Sequence, residues 1–334
     1  MTIRGVPSTV LVAPDAFKGT FAADEIAAAV GRGLETAGAP VELCPIADGG
    51  EGTLEVLVAA LGAELCQAAV HDPLDRPIDA EFGLIARRRG GATAIVEAAR
   101  ASGLGLVAPR DRAPLAATTR GTGELIVAAL AAGAESILLG VGGTATTDGG
   151  SGAVQAIHAA GGLRSASLTV LCDVQTRFES AARVFAPQKG ADPAQVRRLS
   201  ARLHAIARRL PRDPRGIPMT GAAGGLAGGL WAAFGAELRP GAIAVLETLG
   251  FDQRLRAARA VVAGEGRLDR QSLAGKALSE VATRARQTGV PCHAIVGSNK
   301  LDDFEKRILD LQVVLEATTL QQLERAGRQL AAIL

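Results

Sequence analysis

The sequence predicts an α/β protein of two domains, and three observations lead to that class. Short apolar runs that suit buried strands alternate with longer segments patterned as helices. The 334 residues exceed the ~250 to 300 over which a single hydrophobic core usually grows. Both ends of the chain show this simple alternation, whereas the middle differs. We therefore expect a Rossmann-like parallel-sheet domain built from both chain ends and an inserted mixed α/β domain.

The individual elements follow in chain order. The first domain is predicted to comprise residues 1–70 and 257–334, and the inserted domain residues 71–256, with a hairpin around the basic turn at 87–91. The predicted strands are 10–14, 41–44, 78–85, 92–96, 136–139, 261–263, 291–296 and 312–315. The predicted helices are 22–36, one that begins at 53, 121–134, 193–210, a glycine-rich one at 221–234, 276–288, 302–310 and 320–334. The active site is expected in the cleft between the domains.

The composition argues against several classes of function. A formal net charge of +2 and 3% aromatic residues favour neither nucleic acid nor a membrane as partner. None of the four cysteines belongs to a Cys-x-x-Cys pair, so neither a zinc knuckle nor a dithiol site is indicated. The sequence contains no recognisable signal peptide and no apolar run of ~18 residues, and a cytoplasmic location is therefore expected.

Three turns that combine glycine with acidic residues come directly after strand-like runs. They are Asp48-Gly49-Gly50-Glu51-Gly52, the stretch from Gly140 to Gly150 that contains Asp148, and Gly264-Glu265-Gly266-Arg267-Leu268-Asp269. Glycine lets the backbone approach a ligand closely, and carboxylates beside such turns are natural Mg²⁺ ligands. The second turn also precedes a helix, whose N-terminus can hold an anion. Together the three turns predict a site that handles phosphate and metal.

Other motifs narrow the choice. Lys18, Lys189 and Lys276 each adjoin a glycine, which makes them candidates for contacts to phosphate or carboxylate groups. The pattern Gly140-x-Gly142-x-x-Ala145 formally fits the dinucleotide fingerprint, but the acid expected ~20 residues further on is missing. A Walker loop and the protein kinase landmarks are absent, and the four histidines show no metal-ligand spacing.

Several longer motifs occur in a fixed order. They are Ala13-Pro14-Asp15-Ala16-Phe17-Lys18-Gly19-Thr20, Ala47-Asp48-Gly49-Gly50-Glu51-Gly52-Thr53, Gly121-Thr122-Gly123-Glu124-Leu125, the stretch from Gly142 to Gly152, Cys172-Asp173-Val174, Phe185-Ala186-Pro187-Gln188-Lys189-Gly190-Ala191, Gly221-Ala222-Ala223-Gly224-Gly225-Leu226 and the stretch from Gly264 to Ser272. In this order they resemble the bacterial glycerate kinase family (type I, glycerate 2-kinase). The resemblance runs from Val10 to about Gly297.

The resemblance implies ATP- and Mg²⁺-dependent phosphorylation of D-glycerate, usually at the 2-hydroxyl, in organic acid metabolism. It also implies the two-domain architecture. Two departures accompany it. After Cys172-Asp173-Val174 the family usually has Asn-Pro-Leu and a Gly-Pro-x-Gly-Ala turn, whereas this chain has Gln175-Thr176-Arg177-Phe178-Glu179-Ser180. The stretch between His158 and Leu168 is also shorter than usual.

Interpreted through this resemblance, the candidate residues divide into a nucleotide set, a metal set and a substrate set. The cofactor-binding set is Gly142, Gly143, Thr144, Asp148, Gly264 and Glu265, with the first three holding phosphates through their amides. The metal set is Asp48 and Glu51, followed by Asp269. The substrate set is Lys189, Asp15, Gly49 and Gly50.

Four residues are assigned to the chemistry itself. Lys18 and Lys276 would offset the charge on the transferred phosphoryl group, and Asp173 would take the hydroxyl proton, with Asp48 as its rival. ATP and Mg²⁺ are the expected cofactors, and a homodimer is left open. Two other functions stay open: a catalytically weak paralogue that binds glycerate or nucleotide as a regulator, because of the departure at 175–180, and a nicotinamide-dependent dehydrogenase, which is less favoured.

Overall fold

The computed structural model of the chain describes residues 9–86, 91–274 and 276–334. Most of the predicted basic turn, at 87–90, lies outside the described residues, as does Gly275 beside Lys276. The chain divides into two compact units, residues 1–48 with 242–334 and residues 49–241. No helix in the described ranges combines the length and apolar character needed to cross a membrane.

The secondary structure confirms the predicted alternation, mostly within two or three residues. The strands are β1 (Thr9–Pro14), β2 (Val41–Leu43), β3 (Glu64–His71), β4 (Pro77–Ile85), β5 (Ala92–Glu97), β6 (Ala134–Gly140), β7 (Ser167–Cys172), β8 (Glu237–Pro240), β9 (Ala258–Glu265), β10 (Cys292–Val296) and β11 (Leu311–Glu316). The helices are α1 (Ala23–Thr36), α2 (Thr53–Leu61), α3 (Ala99–Ser102), α4 (Arg120–Ala131), α5 (Ser151–Ala159), α6 (Ala181–Phe185), α7 (Pro193–Ala207), α8 (Leu226–Phe234), α9 (Gly241–Thr248), α10 (Phe251–Ala257), α11 (Ala277–Thr288), α12 (Asp303–Ile308) and α13 (Leu320–Ala331).

The first unit is built on a parallel sheet in the order β11-β10-β9-β1-β2. Its central strands are buried almost throughout, because helices cover both faces of a parallel sheet and every position faces a core. On one face α1 packs closely against α13. A Cβ atom at Gly33 would stand 2.0 Å from the Glu324 carbonyl oxygen, so glycine is required for this approach. The Rossmann-like sheet built from both chain ends is confirmed.

The second unit contains a mixed sheet in the order β3-β4-β5-β6-β7-β8. The predicted hairpin is the antiparallel pair β4 and β5, and β5 to β8 run parallel to one another. The contacts place α2 in this unit, packed against β4 and β5, although the sequence-predicted boundary at residue 70 had assigned it to the first domain. Turn 49–52 belongs to the second unit for the same reason.

His293 on β10 carries a prediction about stability. Its side chain is buried, and neither ring nitrogen has a hydrogen-bond partner among the described residues. Burial lowers the pKa of His293 below its ordinary value. The unfolded chain therefore binds a proton at this histidine more readily than the folded chain does. The neutral histidine's contribution to the free energy of unfolding is therefore fully present above pH ~6.5 and is lost as the pH falls below that value.

We expect His293→Leu to reduce the loss of stability between pH 7 and pH 5, because the substituted side chain cannot be protonated. Denaturant unfolding at several pH values measures this difference directly. His158→Gln, at an exposed position on α5, is the matched control. An acid dependence in His293→Leu equal to that of the wild type would contradict the prediction.

Candidate functional site

A cavity of about 370 Å³ lies in the first unit, beside the carboxyl ends of β1 and β9. Ligand sites in open α/β sheets gather at this edge of the strands. The cavity is lined by three acidic side chains and three basic ones: Asp15, Asp48, Glu265, Lys18, Arg267 and Lys276. Asp15 directly follows β1, and Glu265 is the last residue of β9, so the two strands carry both carboxyl groups to the same edge.

The acidic groups of this cavity are buried, and each has a different electrostatic environment. Asp48 pairs with Lys18, whose Nζ lies 3.0 Å from Oδ2. Burial, together with the nearby Asp48 charge, raises the pKa of Asp15 well above its usual value. Burial also raises the pKa of Glu265 to about 7, although a hydrogen bond from Ser272 and the charge of Lys276 oppose the shift. A cluster of this kind favours positively charged or hydrogen-bond-donating ligands.

One carboxyl group that lines the cavity has an oxygen without a partner. Glu265 is 6% exposed, and its Oε1 atom is buried and makes no hydrogen bond among the residues that the structure describes. Buried carboxylate oxygens are normally satisfied by donors, so the unpartnered oxygen of a cavity-lining residue is a candidate contact for a ligand.

Two further predicted residues flank the cavity-lining segment 265–267 in the chain and do not line the cavity themselves. Asp269 turns its carboxylate toward its own loop: Oδ1 accepts from the Gln271 amide at 2.9 Å, and Oδ2 lies 3.0 Å from Nε of Arg267. Gly264 lies inside β9, and its carbonyl accepts from the Asp15 amide at 2.9 Å. Gly264 therefore fixes the start of the loop that carries Asp15.

The other two glycine-acid turns pack against each other in the second unit. The Gly142 amide donates to the Gly49 carbonyl at 3.4 Å, and a Cβ atom at Gly142 would stand 2.4 Å from Cα of Gly50. Glu51 has an exposed side chain whose Oε2 atom lies near Gly143. Only glycines allow two backbones to approach this closely, which explains the paired glycines in both motifs.

Asp148 acts as an internal cap within the turn before α5. Its buried carboxylate accepts from the Thr119 amide and hydroxyl at 2.9 and 2.8 Å, and from the amides of Gly150 and Gly152 at 3.1 Å each. The N-terminus of α5 is thus already occupied by a negative side chain. The amides of Gly143 and Thr144 make no hydrogen bond to the described residues, and they are the part of the predicted phosphate cradle that stays available.

Glu97 was missed by sequence reasoning. It ends β5, and its buried Oε2 atom accepts from the amides of Gly52 and Leu54 at 3.1 Å each, which caps α2. Burial raises the pKa of Glu97 to about 7, with the neighbouring Glu51 charge acting in the same direction. An acidic residue at the end of the apolar run 92–96 was the available signal, because the other turn carboxylates also follow strands.

The side chain of Lys189 is buried inside the second unit. Its Nζ donates to the Thr144 hydroxyl at 3.3 Å and to the Thr146 carbonyl. Burial lowers the pKa of Lys189 to about 7, while Asp148 partly opposes that shift. The lysine therefore ties down the turn before α5, and its predicted contact with substrate stays a prediction.

Asp173 follows β7 and has an exposed side chain. In the departing segment after it, Gln175 and Arg177 are exposed, whereas Phe178 is completely buried. The Phe178 ring belongs to a hydrophobic cluster with α6 and α7, and it packs over the backbone of Gly225 and Gly228. The bulk that this segment adds thus serves packing inside the unit.

Charged side chains collected at the carboxyl edge of a parallel sheet are typical of a ligand site in an α/β protein. The model of the glycerate kinase family matches residues 10–162 and 158–331. The two matched ranges overlap at 158–162, at the end of α5 and in the segment before β7, where the sequence analysis expects a shortened stretch. The chain belongs to the glycerate kinase family.

Individual proteins agree with this assignment. The chain is 38% identical to a glycerate kinase of Halalkalibacterium halodurans over 87% of this chain and 86% of the relative. It is 37% identical to the glycerate 2-kinase of Escherichia coli over 86% and 85%, and 39% identical to a glycerate kinase of Bacillus subtilis over 88% and 86%. A crystal structure of a candidate glycerate kinase 2 from Salmonella typhimurium superposes with a TM-score of 0.82 at 34% identity, covering 98% of each chain.

Proposed function

We propose that this protein transfers the γ-phosphoryl group of ATP to the 2-hydroxyl of D-glycerate in a Mg²⁺-dependent reaction. The observation that carries the proposal is the cavity in which Lys18, Arg267 and Lys276 stand beside three buried carboxyl groups, in a chain whose relatives are named glycerate kinases. A cytoplasmic location and a homodimer stay predictions.

The chemistry asks the protein mainly to position the reactants and to stabilise charge. Lys18 and Lys276 are placed among the cavity-lining groups, where each can offset negative charge that builds on the phosphoryl oxygens. The amides of Gly143 and Thr144 would bind nucleotide phosphates. Asp15 would contact the substrate, with Gly49, Gly50 and Lys189 as the other predicted members of that set.

The donor set fits a magnesium ion. Within the described ranges no group of three or more His, Cys, Asp or Glu side chains is arranged to hold a metal. Mg²⁺ does not need such a group, because it usually takes one or two carboxylates together with waters and substrate phosphates. Asp48 would hold it, with Glu51 and Asp269 as the other predicted ligands. When bound, the ion neutralises charge on the phosphate oxygens.

The test is a turnover assay with product identification. ADP is expected when ATP, Mg²⁺ and D-glycerate are present together, and its release should stop when a chelator is added. Phosphorus NMR of the product then assigns the phosphorylated hydroxyl. Reactions without glycerate and with L-glycerate are the matched controls.

Three results would replace the proposal. ADP release that does not depend on glycerate at any concentration would remove glycerate as the acceptor. Binding of D-glycerate and nucleotide without turnover would favour the regulatory paralogue. A change in nicotinamide absorbance on mixing would favour the dehydrogenase.

A further inference from the structure

We propose that Glu265 binds the acceptor hydroxyl of the substrate and takes its proton, in place of the sequence-predicted base Asp173. This inference rests on the proposed function, because it names the residue that activates the hydroxyl in that reaction. Glu265 lines the cavity of the first unit at the end of β9, and its Oε1 atom is buried without a partner among the described residues.

A loop held by hydrogen bonds lies beside the carboxyl group of Glu265. The Ser272 hydroxyl in this loop partly opposes the rise that burial causes in the pKa of Glu265; Ser272 is completely buried, and its Oγ donates to the Arg267 carbonyl at 3.3 Å. The Ser272 oxygen also accepts from the Asp269 amide at 3.1 Å, which ties this serine to its own loop. The loop around Ser272 is therefore fixed beside the carboxyl group, while the buried Oε1 atom has no donor among the described residues. A preorganised acceptor of this kind is what proton removal requires.

The chemistry of the ligand selects a hydroxyl as that donor. Within D-glycerate, the carboxylate group carries no proton to donate near neutral pH, whereas the hydroxyl groups do. Lys18, Arg267 and Lys276 line the same cavity and suit the anionic parts of such a ligand. The hydrogen-bond acceptor at Glu265 and the basic side chains around it therefore suit a small hydroxy acid as the ligand of this cavity.

Asp173 fits the role less well. Its side chain is exposed at the end of β7 in the second unit, so solvent competes for any hydrogen bond that it makes. A base that works best is shielded from water and lies within hydrogen-bond reach of the proton that it removes.

Proton transfer to Glu265 accompanies phosphoryl transfer. The hydroxyl oxygen forms a bond to the γ-phosphorus of ATP while its proton passes to Oε1 of Glu265. The bond from the γ-phosphorus to the bridging oxygen breaks, and ADP keeps that electron pair. The protonated glutamate returns its proton to solvent after the product leaves.

The test compares Glu265→Gln with Asp173→Asn. The glutamine keeps the shape of the side chain but cannot accept a proton, so kcat should fall by ~10²-fold or more while KM for D-glycerate changes by only a few-fold. The loss of kcat in Asp173→Asn should be much smaller than the loss in Glu265→Gln. Thermal unfolding of both variants checks the fold, and the dependence of rate on Mg²⁺ concentration should be the same in Glu265→Gln as in wild type.

Several results would overturn the inference. They are a Glu265→Gln enzyme with kcat near wild type, a defect that excess Mg²⁺ repairs, or the large loss appearing in Asp173→Asn instead. If the wild type shows no glycerate-dependent turnover, the proposed function fails, and binding measurements by calorimetry then test the hydroxyl contact independently.

The wild type should bind D-glycerate more tightly than propanoate, which lacks both hydroxyls. Glu265→Gln should reduce this difference in affinity between the two ligands. If Glu265→Gln leaves this difference in affinity unchanged, Glu265 does not contact the hydroxyl.

Discussion

Replacing Asp48 by Asn is expected to lower kcat by ~10²-fold or more while leaving the fold intact. Asp48 is 2% exposed, and its Oδ2 atom lies 3.0 Å from the Lys18 ammonium beside the cavity. Asparagine preserves the shape of the side chain but removes the charge that would hold Mg²⁺ and orient Lys18. The loss should therefore appear in kcat, and the Mg²⁺ concentration that gives half-maximal rate should rise.

Steady-state kinetics at several Mg²⁺ concentrations measures both effects. Asp24→Asn is the matched control, because Asp24 is an exposed carboxylate in the first turn of α1 and lines no part of the cavity. Wild-type turnover together with an unchanged Mg²⁺ dependence in Asp48→Asn would remove Asp48 from the site.

Local patterns were sufficient to predict the sheet of the first unit. Strands such as β1 and β9 are short apolar runs that end at glycine or acidic residues, and both features are visible within a few positions of the chain. The same pattern drew attention to Asp15, Asp48 and Glu265, because parallel strands deliver their carboxyl ends to one edge. The structure brings these three residues to a single cavity.

Features that depend on distant contacts were not visible in the sequence. Glu97 caps α2 across 45 positions of the chain, and no local pattern reports such a pairing. Strand β3 was missed because most of its residues are exposed or half-buried and its apolar alternation is weak. Helix α2 comes directly after β2 in the chain, so the sequence suggests that it packs on the sheet of the first unit. It packs on β4 and β5 of the second unit instead, and only tertiary contacts show this.

Truncating Phe178 tests whether the departure from the family pattern serves packing. We expect Phe178→Ala to lower the free energy of unfolding by ~3 to 5 kcal/mol, the usual range for a buried phenylalanine. The ring is completely buried, and Cβ atoms placed at Gly225 and Gly228 would stand 2.8 and 2.5 Å from it, so little space exists into which the surroundings can relax. The Phe178 amide also donates to the Thr220 hydroxyl at 3.0 Å, which fixes the backbone around the cavity left behind.

The neighbouring residue supplies the control for this experiment. Arg177 is exposed, so Arg177→Ala should change stability by no more than ~0.5 kcal/mol. Denaturant unfolding measures both variants, and calorimetric titration with an ATP analogue and with D-glycerate shows whether either binding step changes. If Phe178 serves packing alone, binding below the unfolding transition should match wild type in both titrations. A stable Phe178→Ala protein with weakened glycerate binding would contradict a role in packing alone and would assign the segment to the substrate.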